Sequence, residues 1–153
     1  MAQMSPTDDP SIRNGVKDKL NLINLESTQT VLLVDDDESV RHALRVLFEV
    51  EEFEVVGEAA DGMEAVLLAL KHSPDFIIID YAMPHMNGEK AALILRAAVP
   101  YARIVAFSAY LETKPDWAHA FLNKERILEI IPVMHALLNA ELTDRQAATH
   151  RKQ

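Results

Sequence analysis

The sequence predicts an α/β protein with a five-stranded parallel sheet, doubly wound, with helices on both faces. Three observations carry this. Short runs such as Val31-Leu32-Leu33-Val34, Phe76-Ile77-Ile78-Ile79 and Ile104-Val105-Ala106-Phe107 are continuously apolar, as strands covered on both faces require. Stretches with apolar residues at helical spacing alternate with them. Polar residues follow the strands directly, at the sheet edge where doubly wound folds gather their chemistry.

Taken in order, the first strand ends in the acids Asp35, Asp36 and Asp37. Residues 38–50 carry Val40, Leu44, Leu47 and Phe48 at helical spacing, and Asp37 or Ser39 can cap that helix. Phe53, Val55 and Val56 make a second short strand, closed by Gly57. Asp61-Gly62 opens a helix that uses Ala65, Val66, Ala69 and Leu70 and stops before Pro74. The third strand ends in Asp80, and a loop with Pro84 and Gly88 leads to a helix carrying Ala91, Leu93, Ile94, Leu95 and Ala98. The fourth strand ends in Ser108; a weaker strand at 120–123 ends before Lys124. Val133, Met134, Leu137 and Leu138 mark the last helix, with Pro132 in its first turn. Residues 1–29 are a separate N-terminal extension. Pro6, Pro10, Asn14 and Gly15 favour loop, while Leu20, Ile23 and Leu25 would suit one side of a short docked helix. The compact domain is expected over 30–140, with a tail at 141–153 too short for an output domain.

Composition narrows the function. The 153 residues are one domain's worth, 49% hydrophobic and 25% charged. The lack of cysteine excludes disulfides, thiolate metal sites and a cysteine nucleophile. The net charge of −9 falls entirely within 30–140, which argues against nucleic-acid or anionic-membrane partners. No apolar run approaches the ~20 residues of a membrane span, and no signal peptide is visible, so a cytoplasmic protein is expected. The six histidines, at 42, 72, 85, 119, 135 and 150, make no metal pair, and surface placement is expected for them.

Carboxylates converging at one sheet edge repel. They must either take raised pKa values or share a divalent cation. Oxygen-only ligands favour a hard ion such as Mg²⁺. A carboxylate, a hydroxyl, a lysine and Mg²⁺ are the parts needed to accept a phosphoryl group.

These residues, in this order, resemble the receiver domain of two-component response regulators, of the stand-alone type with a flavodoxin-like fold. The resemblance rests on Val34-Asp35-Asp36, Asp61-Gly62, the stretch from Asp80 to Gly88, Ser108-Ala109 and Phe121-Leu122-Asn123-Lys124. It implies that Asp80 is the phosphoacceptor. Asp35 and Asp36 would hold Mg²⁺ together with Asp80 and the Ala82 carbonyl. Lys124 would pair with the phosphoryl group. Ser108 would be the hydroxyl that follows that group on activation. Phe121 would be the switch aromatic, although a fixed core role explains an apolar strand residue equally well. The implied partners are a histidine kinase or histidine phosphotransfer protein and a downstream protein; a homodimer stays open. The chain would catalyse only its own phosphorylation and dephosphorylation. Two other classes compete: a receiver-shaped binding module that is never phosphorylated, and a Mg²⁺-dependent hydrolase working through an aspartyl phosphate.

The chain departs from the family in one region. Glu125 follows Lys124 where many receivers have proline, and Lys114-Pro115 lies too soon after Ser108 to be the equivalent pair. Residues 109–119 must carry the whole crossover between the fourth and fifth strands, with Pro115 inside them. The helix expected there is therefore shortened or irregular, no more than a short docked turn or a mobile loop.

Overall fold

The computed structural model describes residues 28–51 and 53–151. The reading of Leu20, Ile23 and Leu25 lies outside them. The described chain runs β1 (Thr30–Val34), α1 (Glu38–Val50), β2 (Glu54–Ala59), α2 (Gly62–His72), β3 (Phe76–Ile79), α3 (Gly88–Ala98), β4 (Arg103–Ser108), β5 (Ala120–Asn123), a 3-10 turn (Lys124–Glu129) and α4 (Ile130–His150). All strands are parallel, in the order β2-β1-β3-β4-β5. The expected five-stranded, doubly wound sheet is present.

Local chemistry sets the helix starts. Asp37, Asp61 and Asn87 each cap a helix by accepting from a backbone N–H, of Ser39, Glu64 and Lys90 respectively. The core has two layers. Leu32, Val34, Ile77, Ile79, Ile104 and Ala106 face α2 and α3, which answer with small residues, Ala65, Ala69, Ala91 and Ala92. Val31, Leu33, Ile78, Val105 and Phe107 face α1 and α4, which supply Leu44, Phe48, Ile130 and Met134.

Four expectations change. Strand β2 does not close at Gly57 but runs on to Ala59. A Cβ at Gly57 would sit 3.3 Å from Leu32 Cδ1 and 3.4 Å from Leu68 Cδ1, so glycine lets α2 lie close over the strand rather than ending it. Leu70, Leu93 and Ile94 point outward, because the faces that α2 and α3 turn to the sheet are filled by Ala65, Ala69, Ala91, Ala92 and Leu95. Helix α4 continues through the stretch assigned to a tail, as far as His150. His119 is half-buried rather than on the surface: its Nδ1 accepts from Ile104 N–H at 2.9 Å.

The β4–β5 crossover carries no helix. It holds a single turn closed by Ala118 N–H donating to the Pro115 carbonyl. Trp117 and Ala118 are buried in the α2/α3 layer and hold the segment down. Arg96 donates to the Asp116 carbonyl, and Lys114 donates to that of Ala118.

Candidate functional site

The parallel pairing brings Val34 beside Ile79, so Asp35 and Asp80 leave the sheet side by side, at the point where strand order reverses between β1 and β3. Backbone bonds fix both: Asp35 N–H donates to the Ala59 carbonyl, and Asp80 N–H donates to that of Val34. Asp35 is 1% exposed and Asp80 3% exposed. Asp36 is exposed beside them, and oxygens of the three carboxylates lie within 4.8 Å of one another.

Lys124, the first residue after β5, reaches across to both acids. Its ammonium lies 2.6 Å from Asp35 Oδ2 and 3.1 Å from Asp80 Oδ2. Lys124 is an ion-pair partner to both acids, and Asp80 Oδ1 is buried without a hydrogen-bond partner among the described residues. Burial raises the Asp35 pKa above its ordinary 3.8, against Lys124 and the Asp37 N–H, which bonds Asp35 Oδ1 at 2.9 Å. Burial pulls the Lys124 ammonium down, but Asp35 and Asp80 outweigh it and hold the pKa above 10.5. One cation thus serves two buried anions, and Asp36 adds a third charge at the rim. The raised Asp35 pKa comes first from burial, with the Asp80 charge a lesser cause, and the orphaned Asp80 oxygen leaves room for a shared cation. An all-oxygen set with a buried unpartnered carboxylate atom fits Mg²⁺.

Ser108 ends β4 fully buried, and its Oγ accepts from Tyr110 N–H at 3.2 Å. Phe121 is half-buried in β5 against the α2/α3 layer. Ala82, two residues past Asp80, is half-buried in the loop to α3. That loop turns back sharply: His85 has φ 67°, and Gly88 N–H donates to the Tyr81 carbonyl. A Cβ at Gly88 would stand 2.3 Å from the Asp80 carbonyl, so only glycine lets α3 start there. Sequence reasoning missed two features. Arg41 on α1 donates to the Asp35 carbonyl at 2.6 Å, and Glu58 on β2 holds Arg41. Their signal was a basic residue one turn into α1 and an acid late in β2, neither distinctive alone.

Comparison with known proteins gives the family of the chain. Residues 31–125 match the family model described as the response regulator receiver domain. This chain belongs to that family, a component of two-component systems. Its curated relatives include the transcriptional regulatory protein PdtaR of Mycobacterium tuberculosis, 40% identical over 80 residues, which are 51% of this chain and 39% of that protein. The chemotaxis protein CheY of Halobacterium salinarum is 46% identical over 61 residues, 40% of this chain and 50% of that one. The chain thus spans half or less of these relatives' length. Among solved structures, a LuxR-family two-component response regulator from an Aurantimonas species superposes with TM-score 0.68 at 28% identity, over 74% of this chain and 87% of that one. The response regulator domain of Thermotoga maritima CheB gives 0.65 at 26% identity, over 74% and 95%.

Proposed function

We propose that this chain accepts a phosphoryl group on Asp80 from the phosphohistidine of a histidine kinase or histidine phosphotransfer protein, with Mg²⁺ as cofactor, and signals through protein contacts. The observation that carries the reading is the pair of buried carboxylates sharing Lys124, with Asp80 Oδ1 left unpartnered. Asp35, Asp36, Asp80 and the Ala82 carbonyl would hold the ion. Bound Mg²⁺ supplies charge that neutralises phosphoryl oxygens.

The steps that fall to the chain's own residues follow from their placement. An Asp80 carboxylate oxygen forms a bond to phosphorus as the phosphorus–nitrogen bond to the donor imidazole breaks, and the electron pair leaves with the imidazole. Lys124 turns its charge from Asp80 to an oxygen of the arriving group. Ser108 Oγ gives up its bond from Tyr110 N–H, rotates, and donates to a second oxygen, drawing residues 109–111 with it. Phe121, half-buried against the same α2/α3 layer as Leu111, would be the aromatic that follows. The chain is not an enzyme toward other substrates; it acts only on its own aspartyl phosphate. With no helix in the β4–β5 crossover, contacts to partners or to a second copy fall to α1 or to α4.

Intact mass after treatment with acetyl phosphate and Mg²⁺ tests the reading. Wild type should gain one phosphoryl group, and Asp80→Asn should gain none. An unmodified wild type would refute the proposal and favour a binding module.

A further inference from the structure

We propose that Arg41 is a positioning residue for Asp36, holding the acidic pair in the geometry that receives Mg²⁺; this rests on the metal reading above. Asp35 and Asp36 share one peptide plane. Its direction sets where the Asp36 Cα–Cβ bond points, the one fixed part of that side chain, since among the described residues no hydrogen bond or ion pair holds the carboxylate and Asp36 is exposed. The neighbouring acid is different: Asp35 is buried and gripped through both carboxylate oxygens, by Asp37 N–H and by Lys124.

What fixes the shared peptide is a guanidinium. Arg41 Nη1 donates to the Asp35 carbonyl at 2.6 Å. Arg41 is itself held, with Nε 3.3 Å from Glu58 Oε1 and a side chain only 15% exposed. Arg45 fixes the other Glu58 oxygen with a fork, at 2.9 Å from Nε and 2.6 Å from Nη2. Glu58 precedes Ala59, whose carbonyl takes the Asp35 N–H. The backbone of Asp35 is therefore pinned on both sides to β2, on one side directly and on the other through Arg41. A planar donor with two fixed attachments suits this, where a lysine offers a single mobile point charge.

Outer partners of metal ligands typically account for about tenfold or more in metal affinity. The test is the Mg²⁺ dissociation constant, read from melting temperature against MgCl₂ concentration, in wild type, Arg41→Met, Asp36→Asn and the double variant. Arg41→Met should raise the constant about tenfold in the wild-type background. It should raise it little when Asp36 is already Asn, because the group it positions is gone. A merely structural arginine would lower the melting temperature equally in both backgrounds and leave the constant unchanged; that result overturns the inference while the metal reading stands. No response of wild type to Mg²⁺ overturns both. Should Arg41→Met fail to fold, Arg41→Lys in the same cycle decides, with a smaller rise expected.

Discussion

Replacing Lys124 with methionine removes the one cation that two buried carboxylates share. At 2.6 and 3.1 Å, and with an effective dielectric of about 20, each contact contributes roughly 5–6 kcal/mol of raw attraction. Most of that offsets desolvation, and deleting one partner of a buried pair costs about 3–5 kcal/mol net. The lysine side chain is 21% exposed, and Asp35 can take up a proton instead, so the loss should be about 2–4 kcal/mol at pH 7. That lowers the melting temperature by about 10 °C. The sign of the pH dependence follows from Asp35. Burial already raises its pKa above 3.8, so its protonated form favours the fold. That contribution is full at low pH and is lost as pH rises through the folded-state pKa. Without Lys124 the pKa climbs further, and the gap between variant and wild type should narrow as the solution is acidified. It should also narrow with Mg²⁺, and in an Asp80→Asn background where one of the two anions is gone. Urea denaturation at pH 7 and near pH 5 without metal, repeated at pH 7 with Mg²⁺ and in the Asp80→Asn background, measures all of this. A variant as stable as wild type at pH 7, or a gap that ignores both acid and Asp80→Asn, would refute the electrostatic account of the site.

Three further outcomes are expected. Gly88→Ala forces a methyl to within 2.3 Å of the Asp80 carbonyl; it should cost about 1–3 kcal/mol in denaturant melts and weaken Mg²⁺ binding, since the carboxyl-bearing residue must move. Burial, then the charges of Arg103, Arg96 and Lys114, lower the His119 pKa below 6.5, and only the neutral ring accepts from Ile104 N–H. Its contribution should therefore be present above pH 6.5 and disappear as pH falls through the lowered value, and His119→Ala should flatten that part of the stability profile. If Asp80 takes the phosphoryl group as proposed, the residues two past it and two past Ser108 would flank the path of a hydrolytic water. Here they are Ala82, which cannot orient water, and Tyr110. Loss of the phosphoryl group, followed by mass against time, should speed up in Ala82→Asn and in Tyr110→Glu; equal lifetimes in both would dismiss this.

The strands and the acid cluster were legible because both are written locally. A run such as Phe76-Ile77-Ile78-Ile79, β-branched and short, suits a covered parallel strand, and an acid directly after such a strand lands on the functional edge. What the sequence hid depends on residues distant in the chain. Leu70 and Leu93 read as core by periodicity, but the space under α2 and α3 is set by Gly57 and facing alanines on other elements. His119 read as a surface residue because nothing near it reveals that Ile104 N–H, fifteen positions earlier, needs an acceptor. The Arg41–Glu58 link spans seventeen residues, and neither partner is unusual alone. The extension of α4 to His150 shows the opposite limit: with little buried beyond Met134, its last turns carry no apolar stripe to read.

The strand order has a consequence for synthesis. Strand β1 sits between β2 and β3, so it leaves the ribosome early yet gains its second neighbour only after some 45 residues more, the separation across which Thr30 bonds Asp75. Until then Val31-Leu32-Leu33-Val34, fully covered in the finished sheet, presents one open hydrogen-bonding edge, and its Leu32/Val34 face awaits α2 and α3. The β1-α1-β2 unit can form but cannot close. A ribosome stalled between β2 and β3 would hold a nascent chain with a strong tendency to pair with its neighbours on the same message. Slow translation should thus be most harmful to yield while β2 has left the exit tunnel and β3 has not, and that is where a holdase chaperone would find its strand.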